Sequence, residues 1–282
     1  MLIRTSRPGA DSSAATFASS KARHVPCSMQ HDVLRSIFQL LERDRLAGNG
    51  SVTAVSGQIF SGKTTILARL ETLPFLKRKV RVLDLSSYFI FESFRQSISD
   101  SFKLSFSEDE WPDSVTIPRA LERYILLSGI RVFAIDDAQQ WLHMGAYEKS
   151  DFLSLVARLV APPLNLTLIL SGLPEVMQAE IIAQACSCAL TKLTIGSWHY
   201  SQQYLRFLAS VERSEMAWWG LNSAKHPLMQ GNVPALILQK SEGQTGSIVT
   251  NVRRLIALSN HTANFKLTEE TVMQVFDSDW EY

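Results

Sequence analysis

Apolar positions along the chain follow two different spacings, which predict strands and helices. Short, almost continuous apolar runs are typical of strands buried on both faces of a parallel sheet. Such runs occupy residues 51–56, 80–85, 130–135, 166–170 and 190–195. Between them, apolar residues recur every three or four positions, the spacing of helices with one buried face. Strands that alternate with helices predict an α/β fold with a parallel, doubly wound sheet.

The pattern changes after about residue 198, where only the helical spacing remains. The helices predicted before this point are 33–41, one that opens with residues 65–70, 91–104, 117–127 and 152–160. Those predicted after it are 200–211, 233–240, 247–258 and 268–276. A polar segment with two glycines, 241–246, separates two of the later helices. We therefore expect a sheet domain followed by a small helical lid.

Composition narrows the class of protein. The chain has 282 residues, of which 46% are apolar, so it can bury a substantial core. Its net charge of +1 does not indicate a polyanionic partner, and nucleic-acid binding would need a local basic patch. No apolar run approaches the ~20 residues of a membrane span. Cys27, Cys186 and Cys188 contain no C-x-x-C pair, which argues for buried thiols and a reducing, cytoplasmic location.

One segment between a predicted strand and a predicted helix has the pattern of a phosphate-binding loop. Residues 57–64 match G-x-x-x-x-G-K-[ST] at every fixed position. A strand before the loop and a helix after it are the context that the motif requires. The residues predicted to surround the phosphates of a nucleotide are Gly57, Gln58, Ile59, Phe60, Ser61, Gly62, Lys63, Thr64 and Thr65.

The chemistry of a nucleoside triphosphate explains these residue types. Gly57 and Gly62 let the backbone turn tightly and approach the phosphates without a Cβ in the way. The loop amides and the positive end of the following helix then face the anion. Lys63 is predicted to reach the β and γ phosphates, and the Thr64 hydroxyl is predicted to bind Mg²⁺.

A second segment ends an apolar strand with two carboxylates. Residues 130–135 are apolar except for Arg131, and Asp136 and Asp137 follow directly. In parallel sheets, ligands bind at the carboxyl ends of the strands. Asp136 is the predicted Mg²⁺ partner, either directly or through water, and Asp137 is the predicted base or water-orienting group. Together with the phosphate loop, this pair predicts an ATPase or a GTPase.

The order of these motifs resembles the AAA+ ATPases, which combine a phosphate loop, an acid-ended strand, a later strand with a small polar end and a helical lid. Within that family the chain is most similar to the transposition-regulator group (the TniB and TnsC type, related to MuB). The resemblance rests on residues 56–65, 135–139, 170–172 and 241–246, and it covers roughly residues 30–275. The group binds DNA as ATP-dependent oligomers, marks the insertion site and recruits transposase.

This resemblance implies a P-loop AAA+ parallel sheet flanked by helices, with ATP and Mg²⁺ as cofactors. It implies double-stranded DNA, further copies of the chain, a transposase and target-selection proteins as partners. The lack of periodicity in the first residues and the change of pattern near residue 198 predict a flexible N-terminal arm (1–29), a nucleotide-binding domain (30–198), a lid (199–276) and a tail (277–282). Ser171 stands where the family places its first sensor residue, which would hydrogen-bond the γ-phosphate or the attacking water.

The chain departs from the pattern of the group at the residues of hydrolysis. Members usually carry Glu where Asp137 stands, and the carboxylate of Asp is one methylene shorter. A trans-acting arginine is expected before the fifth strand. Between residues 171 and 205, however, Lys192 is the only Lys or Arg, and Lys substitutes poorly for a planar guanidinium.

The lid differs as well. Ser247 stands where relatives often carry an arginine, which leaves Arg253 or Arg254 to contact the nucleotide. We take Arg253 as the candidate. With three changes in the hydrolysis apparatus, we expect ATP to be bound normally and hydrolysed slowly.

Residues that could contact DNA form a weaker signal. Residues 77–81 contain four Lys or Arg, a composition that also suits a solvated loop. Arg95 and Lys103 flank a predicted helix in the region that, by resemblance, faces the central pore of the oligomer, and they are our candidates for DNA binding. The nearby aromatic residues are expected to lie in the core; they are Phe89, Phe91, Phe94, Phe102 and Phe106.

Two other functions fit the same sequence. One is a P-loop kinase of a small substrate, although no Arg- or Lys-rich lid with a substrate pocket is visible. The other is an interaction module that binds ATP as a switch and scarcely hydrolyses it. Both ends of the chain are predicted to dock on partners. Residues 277–282 are acidic and aromatic, and they could instead fold back onto the lid.

Overall fold

The fold is described from a computed structural model. It describes Val25 and residues 27–76, 79–86, 94–107, 109–111, 116–175, 177–221, 227–261 and 268–277. Several sequence predictions lie outside these residues: most of the arm 1–29, Lys77 and Arg78 of the basic cluster, Phe89, Phe91 and nearly all of the tail. No helix among the described residues is long and apolar enough to cross a membrane.

A five-stranded parallel sheet forms the centre of the molecule. Its strands are β1 (Ser51–Ser56), β2 (Val80–Asp84), β3 (Val132–Asp136), β4 (Thr167–Gly172) and β5 (Leu190–Thr194). Their order is β2-β3-β4-β1-β5, and every pairing is parallel. The predicted α/β class and all five predicted strands are therefore confirmed. β1, β3 and β4 are buried throughout, which explains their almost continuous apolar sequences.

Helices cover both faces of the sheet and continue after it. They are α1 (Ser28–Ala47), α2 (Lys63–Thr72), α3 (Phe94–Ser101), α4 (Arg119–Ser128), α5 (Ala146–Val160), α6 (Ala179–Ala185), α7 (Gln202–Trp218), α8 (Val233–Lys240), α9 (Thr245–His261) and α10 (Glu269–Asp277). Short 3₁₀ helices span Ala138–His143 and Pro227–Met229.

Side chains alternate between two cores across β3. Phe133 and Ile135 pack into the core that includes α4 and α5, whereas Val132 and Ala134 pack into the core that includes α1 and α2. This alternation is the period-two geometry of a strand covered on both sides. The sheet is thus the middle layer of three, and the carboxyl ends of β1, β3 and β4 meet at one edge.

The helices α7 to α10 form a third core around Tyr204, Val211, Ile237 and Val252. The predicted lid after the sheet is therefore present as a separate group of packed helices. Trp198, in the segment that leaves β5, belongs to this third core, and so do Val25 and Cys27 before α1.

Several boundaries differ from the sequence predictions. The predicted helix 152–160 begins at residue 146, and the predicted helix 200–211 continues to residue 218. Helix α6 and the 3₁₀ helix after β3 were not predicted, because both are too short to show a clear period.

The structure adds detail at the N-terminal side and at the thiols. Helix α1 begins at Ser28, and Val25 before it is buried. Cys27 is buried as expected, but Cys186 and Cys188 are half-buried.

Candidate nucleotide-binding and hydrolysis site

The loop between β1 and α2 has the geometry of an anion site. β1 ends at Ser56, and α2 begins at Lys63 after Gly62, which has a φ of 98° that favours glycine. The amides of the first turn of α2, including those of Thr64 and Thr65, have no partner within the helix. Together with the positive end of the helix, they can bind a phosphate.

The Lys63 ammonium lies against the loop itself. It donates hydrogen bonds to the carbonyl oxygens of Gly57 and Gln58, at 2.8 and 2.9 Å. Burial lowers the pKa of Lys63, and the negative charges of Asp137 and Asp136 act in the opposite direction. The ammonium is therefore held between the loop and the carboxylates, where a phosphate could replace the two carbonyl oxygens.

The tip of the loop, Ile59 and Phe60, is exposed, whereas Ser61 is fully buried. The Ser61 hydroxyl has no hydrogen-bond partner among the described residues. An unsatisfied buried hydroxyl is rare in native structures and requires an explanation. A phosphate oxygen at this loop would supply the missing partner.

Gly62 also makes room for a side chain of α1. A Cβ at Gly62 would lie 1.9 Å from the amide nitrogen of Gln30, which is itself buried. Gln30 therefore covers the phosphate loop from the side of α1. Nothing in the local sequence around Gln30 indicated this position, because Gln30 and Gly62 are 32 positions apart in the chain.

The carboxylate pair lies at the adjacent strand ends. Asp136, at the end of β3, accepts a hydrogen bond from the Ser171 hydroxyl at 2.7 Å and another from the Asp137 amide at 3.1 Å. Both Asp136 and Ser171 are buried. The structure therefore brings together the predicted metal ligand and the predicted sensor, since β3 and β4 are neighbours in the sheet.

Asp137 is held in a different way. Its backbone is left-handed, with a φ of 49°, a conformation that Asp tolerates better than most residues. Gln139 donates its amide to the Asp137 carboxylate at 3.0 Å and accepts the amide of Leu173 at 3.2 Å. A Cβ on Gly172 would lie 2.4 Å from the Gln139 oxygen, so Gly172 leaves space for this bridge. Gln139 thus fixes the candidate base against the loop after β4.

The lid contacts the phosphate loop directly. The amide of Gly246, at the start of α9, donates to the carbonyl of Phe60 at 2.6 Å. A Cβ on Gly246 would lie 2.8 Å from that oxygen, so only glycine permits the contact. The polar segment 241–246 is therefore the joint at which the lid meets the phosphate loop.

The residues present fit a nucleoside triphosphate with Mg²⁺. The helix end, Lys63 and the unsatisfied Ser61 hydroxyl supply donors for phosphate oxygens. Thr64 and Asp136 offer the oxygen ligands that Mg²⁺ prefers. Asp137 follows Asp136 directly in the chain and supplies a second carboxylate. These groups therefore fit phosphates and Mg²⁺ by their chemistry, and the binding itself stays a prediction.

Comparisons with known proteins address the fold. No protein-family model and no curated protein matches the chain. Among solved structures, a RuvB variant of Thermotoga maritima has a TM-score of 0.52 at 12% identity, covering 87% of this chain and 69% of its own. A Walker-type ATPase of Pyrococcus abyssi has a TM-score of 0.55 at 15% identity, with coverages of 84% and 69%. A chain in the structure of the Drosophila origin recognition complex (ORC) bound to DNA has a TM-score of 0.56 at 15% identity. The match covers 98% of this chain and 68% of that one.

This protein has the AAA+ ATPase fold. The sheet order and the helices after the sheet agree with that assignment. At these identities the likeness concerns the fold, so the roles of individual residues rest on their own geometry.

The two candidate substitutes for the AAA+ arginines are both engaged elsewhere. Lys192 forms an ion pair with Glu180, and both side chains are exposed. Arg253 donates to the Glu215 carboxylate of α7 at 2.8 Å. Because seven residues separate Gly246 from Arg253, both lie on the same side of α9. A nucleotide role for Arg253 stays a prediction, and it would compete with the Glu215 contact.

The two candidate DNA ligands have different surroundings. Arg95 donates to the carbonyl of Trp111 at 2.5 Å and is half-buried, so it ties α3 to the segment before α4. Lys103 is exposed just after α3. Desolvation raises the pKa of Glu71, and the charges of Arg81 and Lys103 oppose that rise, so these residues lie close together. Of the two candidates, Lys103 is the more available to a phosphate.

Proposed function

We propose that this protein is an ATP-dependent, sequence-tolerant DNA-binding AAA+ regulator of transposition, which assembles on target DNA, recruits a transposase and hydrolyses ATP slowly. The observation that carries the nucleotide part is the convergence of Lys63, the Asp136–Ser171 pair and Asp137 at one edge of the sheet. The transposition part rests on the motif resemblance. A neighbouring structure that was solved bound to DNA supports the DNA part.

The geometry supports a division of labour in hydrolysis. The Lys63 ammonium would leave the carbonyl oxygens of Gly57 and Gln58 and donate to phosphate oxygens instead. Its positive charge would then balance the negative charge of the phosphates. Bound Mg²⁺ would neutralise further charge on the phosphates. Asp137, held by Gln139, is the group placed to accept the proton of the attacking water.

The lid contact offers a route by which the nucleotide could control assembly. The backbone of Phe60 belongs to the phosphate loop and also binds Gly246 of the lid. A phosphate that rearranges the loop would therefore move the start of α9. We propose that this movement couples ATP binding to oligomer formation on DNA.

The experiment that tests the proposal is negative-stain microscopy of the protein with duplex DNA, with and without a slowly hydrolysed ATP analogue. We expect rings or filaments on DNA only when the analogue is present. Compact monomers in every condition would contradict the proposal and favour a P-loop enzyme of a small substrate.

Slow hydrolysis gives a prediction at Asp137. The Asp137→Glu variant should raise turnover about tenfold, because the longer side chain brings the carboxylate closer to the water. Asp137→Asn is the matched control, which should abolish turnover while ATP still binds. A steady-state phosphate-release assay on DNA measures both.

The same assay separates slow hydrolysis from its alternative. A nucleotide-switched module without appreciable hydrolysis is favoured by the ion pair of Lys192 with Glu180, which engages the only Lys or Arg between residues 171 and 205. A typical enzyme turns over about 10 times per second. If the natural protein already does so, both the slow-hydrolysis proposal and the switch without hydrolysis are contradicted.

DNA binding through phosphates gives a prediction at Lys103. Each lost phosphate contact should flatten the slope of log affinity against log salt by about 0.9. Lys103→Asn is the preferred change, because it removes the charge and Asn tolerates the residue's positive φ of 57°. Arg95→Ala should have the same effect on the slope if Arg95 also contacts DNA.

Two controls make this measurement decisive. Lys192→Ala removes an exposed cation on β5 and should leave the slope unchanged. The melting temperature of Arg95→Ala has to be measured as well, since the variant also loses the bond to Trp111. Unchanged slopes in both test variants would place the DNA surface elsewhere, with residues 77–81 examined next.

A further inference from the structure

A cavity of about 540 Å³ opens at the amino ends of the strands, at the opposite edge of the sheet from the phosphate loop. Asn49, Val132 and Thr167 line it where β1, β3 and β4 begin. Its size falls within the range of about 300–1,000 Å³ that is typical of ligand sites. None of its lining residues takes part in the nucleotide site described above.

The outer wall of this cavity is apolar. Phe38 and Leu41 of α1 face Phe75 and Leu76 of the segment after α2. The rings of Phe38 and Phe75 are in contact, with centroids 4.9 Å apart, yet Phe75 remains 57% exposed. Phe75 therefore presents apolar surface at the mouth of the cavity, which a group bound there would bury.

The rim of the cavity is positively charged. Lys79 and Arg131 are exposed lining residues, and neither forms an ion pair in the part of the chain that the structure describes. The two lining acids are already balanced. Arg45 pairs with Glu42, and Arg43 pairs with Asp44.

A buried acceptor adds to this picture. The side-chain oxygen of Asn165, another lining residue, is buried and has no hydrogen-bond partner among the described residues. An occupant with apolar rings would bury the apolar wall, and its negative charges would pair with the basic rim. An N–H donor on the same occupant would supply the hydrogen bond that the Asn165 oxygen lacks.

One segment of this chain has that composition. Residues 277–282 read Asp-Ser-Asp-Trp-Glu-Tyr, with three acids and two aromatic residues in six positions. Aromatic rings bury about 150–250 Å² each, and an indole N–H is a hydrogen-bond donor. We infer that Trp280 and Tyr282 of one copy insert into this cavity of a neighbouring copy, while the acids face Lys79 and Arg131.

The length of the segment favours a neighbouring copy over its own chain. Helix α10 ends at Asp277 and packs on α8 and α9, in the lid that meets the sheet at its phosphate-loop edge. Residues 278–282 span at most about 18 Å when extended. Strand β1 alone is about 20 Å long, and the cavity lies beyond its far end.

Such a contact joins two different surfaces of the same chain. A head-to-tail contact of this kind generates a ring if its rotation closes and a filament if it does not. It acts independently of the nucleotide site, so it would add a second interface to any assembly that ATP promotes.

The test uses a fluorescent peptide of residues 277–282 and the full chain carrying Trp280→Ala and Tyr282→Ala, so that its own segment does not compete. We expect saturable binding by fluorescence anisotropy. Adding Lys79→Glu and Arg131→Glu should weaken it at least about tenfold, because both rim charges reverse. Arg119→Glu with Arg123→Glu is the matched control, which changes the net charge equally on α4 and should leave binding unchanged.

A charge exchange removes the concern that the reversed variant is misfolded. A peptide that carries Asp279→Lys and Glu281→Lys should bind the Lys79→Glu, Arg131→Glu protein better than the natural peptide does. The sedimentation coefficient of the natural chain should rise with protein concentration, because copies associate. The Trp280→Ala, Tyr282→Ala change should reduce that rise. Absence of peptide binding, or binding indifferent to rim charge, overturns the inference. ATP binding, measured on the same variants, reports separately on the proposed function.

Discussion

The Lys63→Ala variant should bind ATP at least about 100-fold more weakly than the natural protein, because charge-assisted hydrogen bonds to two phosphates are lost. Lys63 is the cation that the first turn of α2 places against the loop, and its ammonium already contacts two loop carbonyls. Calorimetry or a fluorescent ATP analogue measures the affinity. ATP-dependent assembly on DNA should disappear with it.

The stability of this variant provides an internal check. Burial lowers the pKa of Lys63 and so disfavours its charged form, which offsets the loss of its two hydrogen bonds to the loop, and we expect a melting temperature close to that of the natural protein. Lys192→Ala is the matched control on an exposed lysine and should bind ATP normally. Natural affinity in Lys63→Ala would refute the phosphate-loop assignment.

The second large effect is expected at the joint between sheet and lid. Gly243 has a φ of 68°, and a Cβ there would lie 2.4 Å from the backbone oxygen of Trp198. Gly243→Ala should therefore lower the free energy of unfolding by about 2–4 kcal/mol, from both the unfavourable backbone and the overlap. Thermal unfolding should show a fall of several degrees in melting temperature.

Gly220→Ala separates the two causes. Gly220 has almost the same φ, 65°, but nothing lies within 4 Å of a Cβ there. This control should lose only the backbone contribution, about 1–2 kcal/mol. Equal losses in the two variants would show that the Trp198 contact does not constrain the joint.

Gly243→Ala should also affect the nucleotide site. The carbonyl of Gly243 accepts the Trp198 amide at 2.7 Å, and the Trp198 indole donates to Thr245 at 3.2 Å. The next residue, Gly246, binds the phosphate loop through Phe60. A shift at Gly243 is therefore expected to weaken ATP binding, whereas Gly220→Ala should leave it unchanged.

The sequence by itself determined the features that depend on local chemistry. Glycine, lysine and threonine at fixed spacing between a strand and a helix can be recognised without a structure, because eight neighbouring residues make the site. The same holds for Asp136 and Asp137, since a buried strand that ends in acids must present them at the edge of the sheet. The parallel order of strands and helices followed from the two hydrophobic periods.

Tertiary structure alone decided how distant segments complete the site. Gln30 over Gly62, Gln139 between Asp137 and Leu173, and Gly246 on Phe60 are contacts between separate elements. Periodicity carries no information about such pairs, because it reports which face of an element is buried and not what buries it.

The same reason limits what the sequence shows of the charged residues. Arg253, Lys192 and Arg95 have the right charge for nucleotide or DNA, but the fold gives each a partner, in Glu215, Glu180 and the carbonyl of Trp111. The cavity at the far edge of the sheet is also a product of folding, since it forms where α1 meets the starts of β1, β3 and β4. A sequence specifies which groups are available, and the three-dimensional packing decides which of them are already engaged.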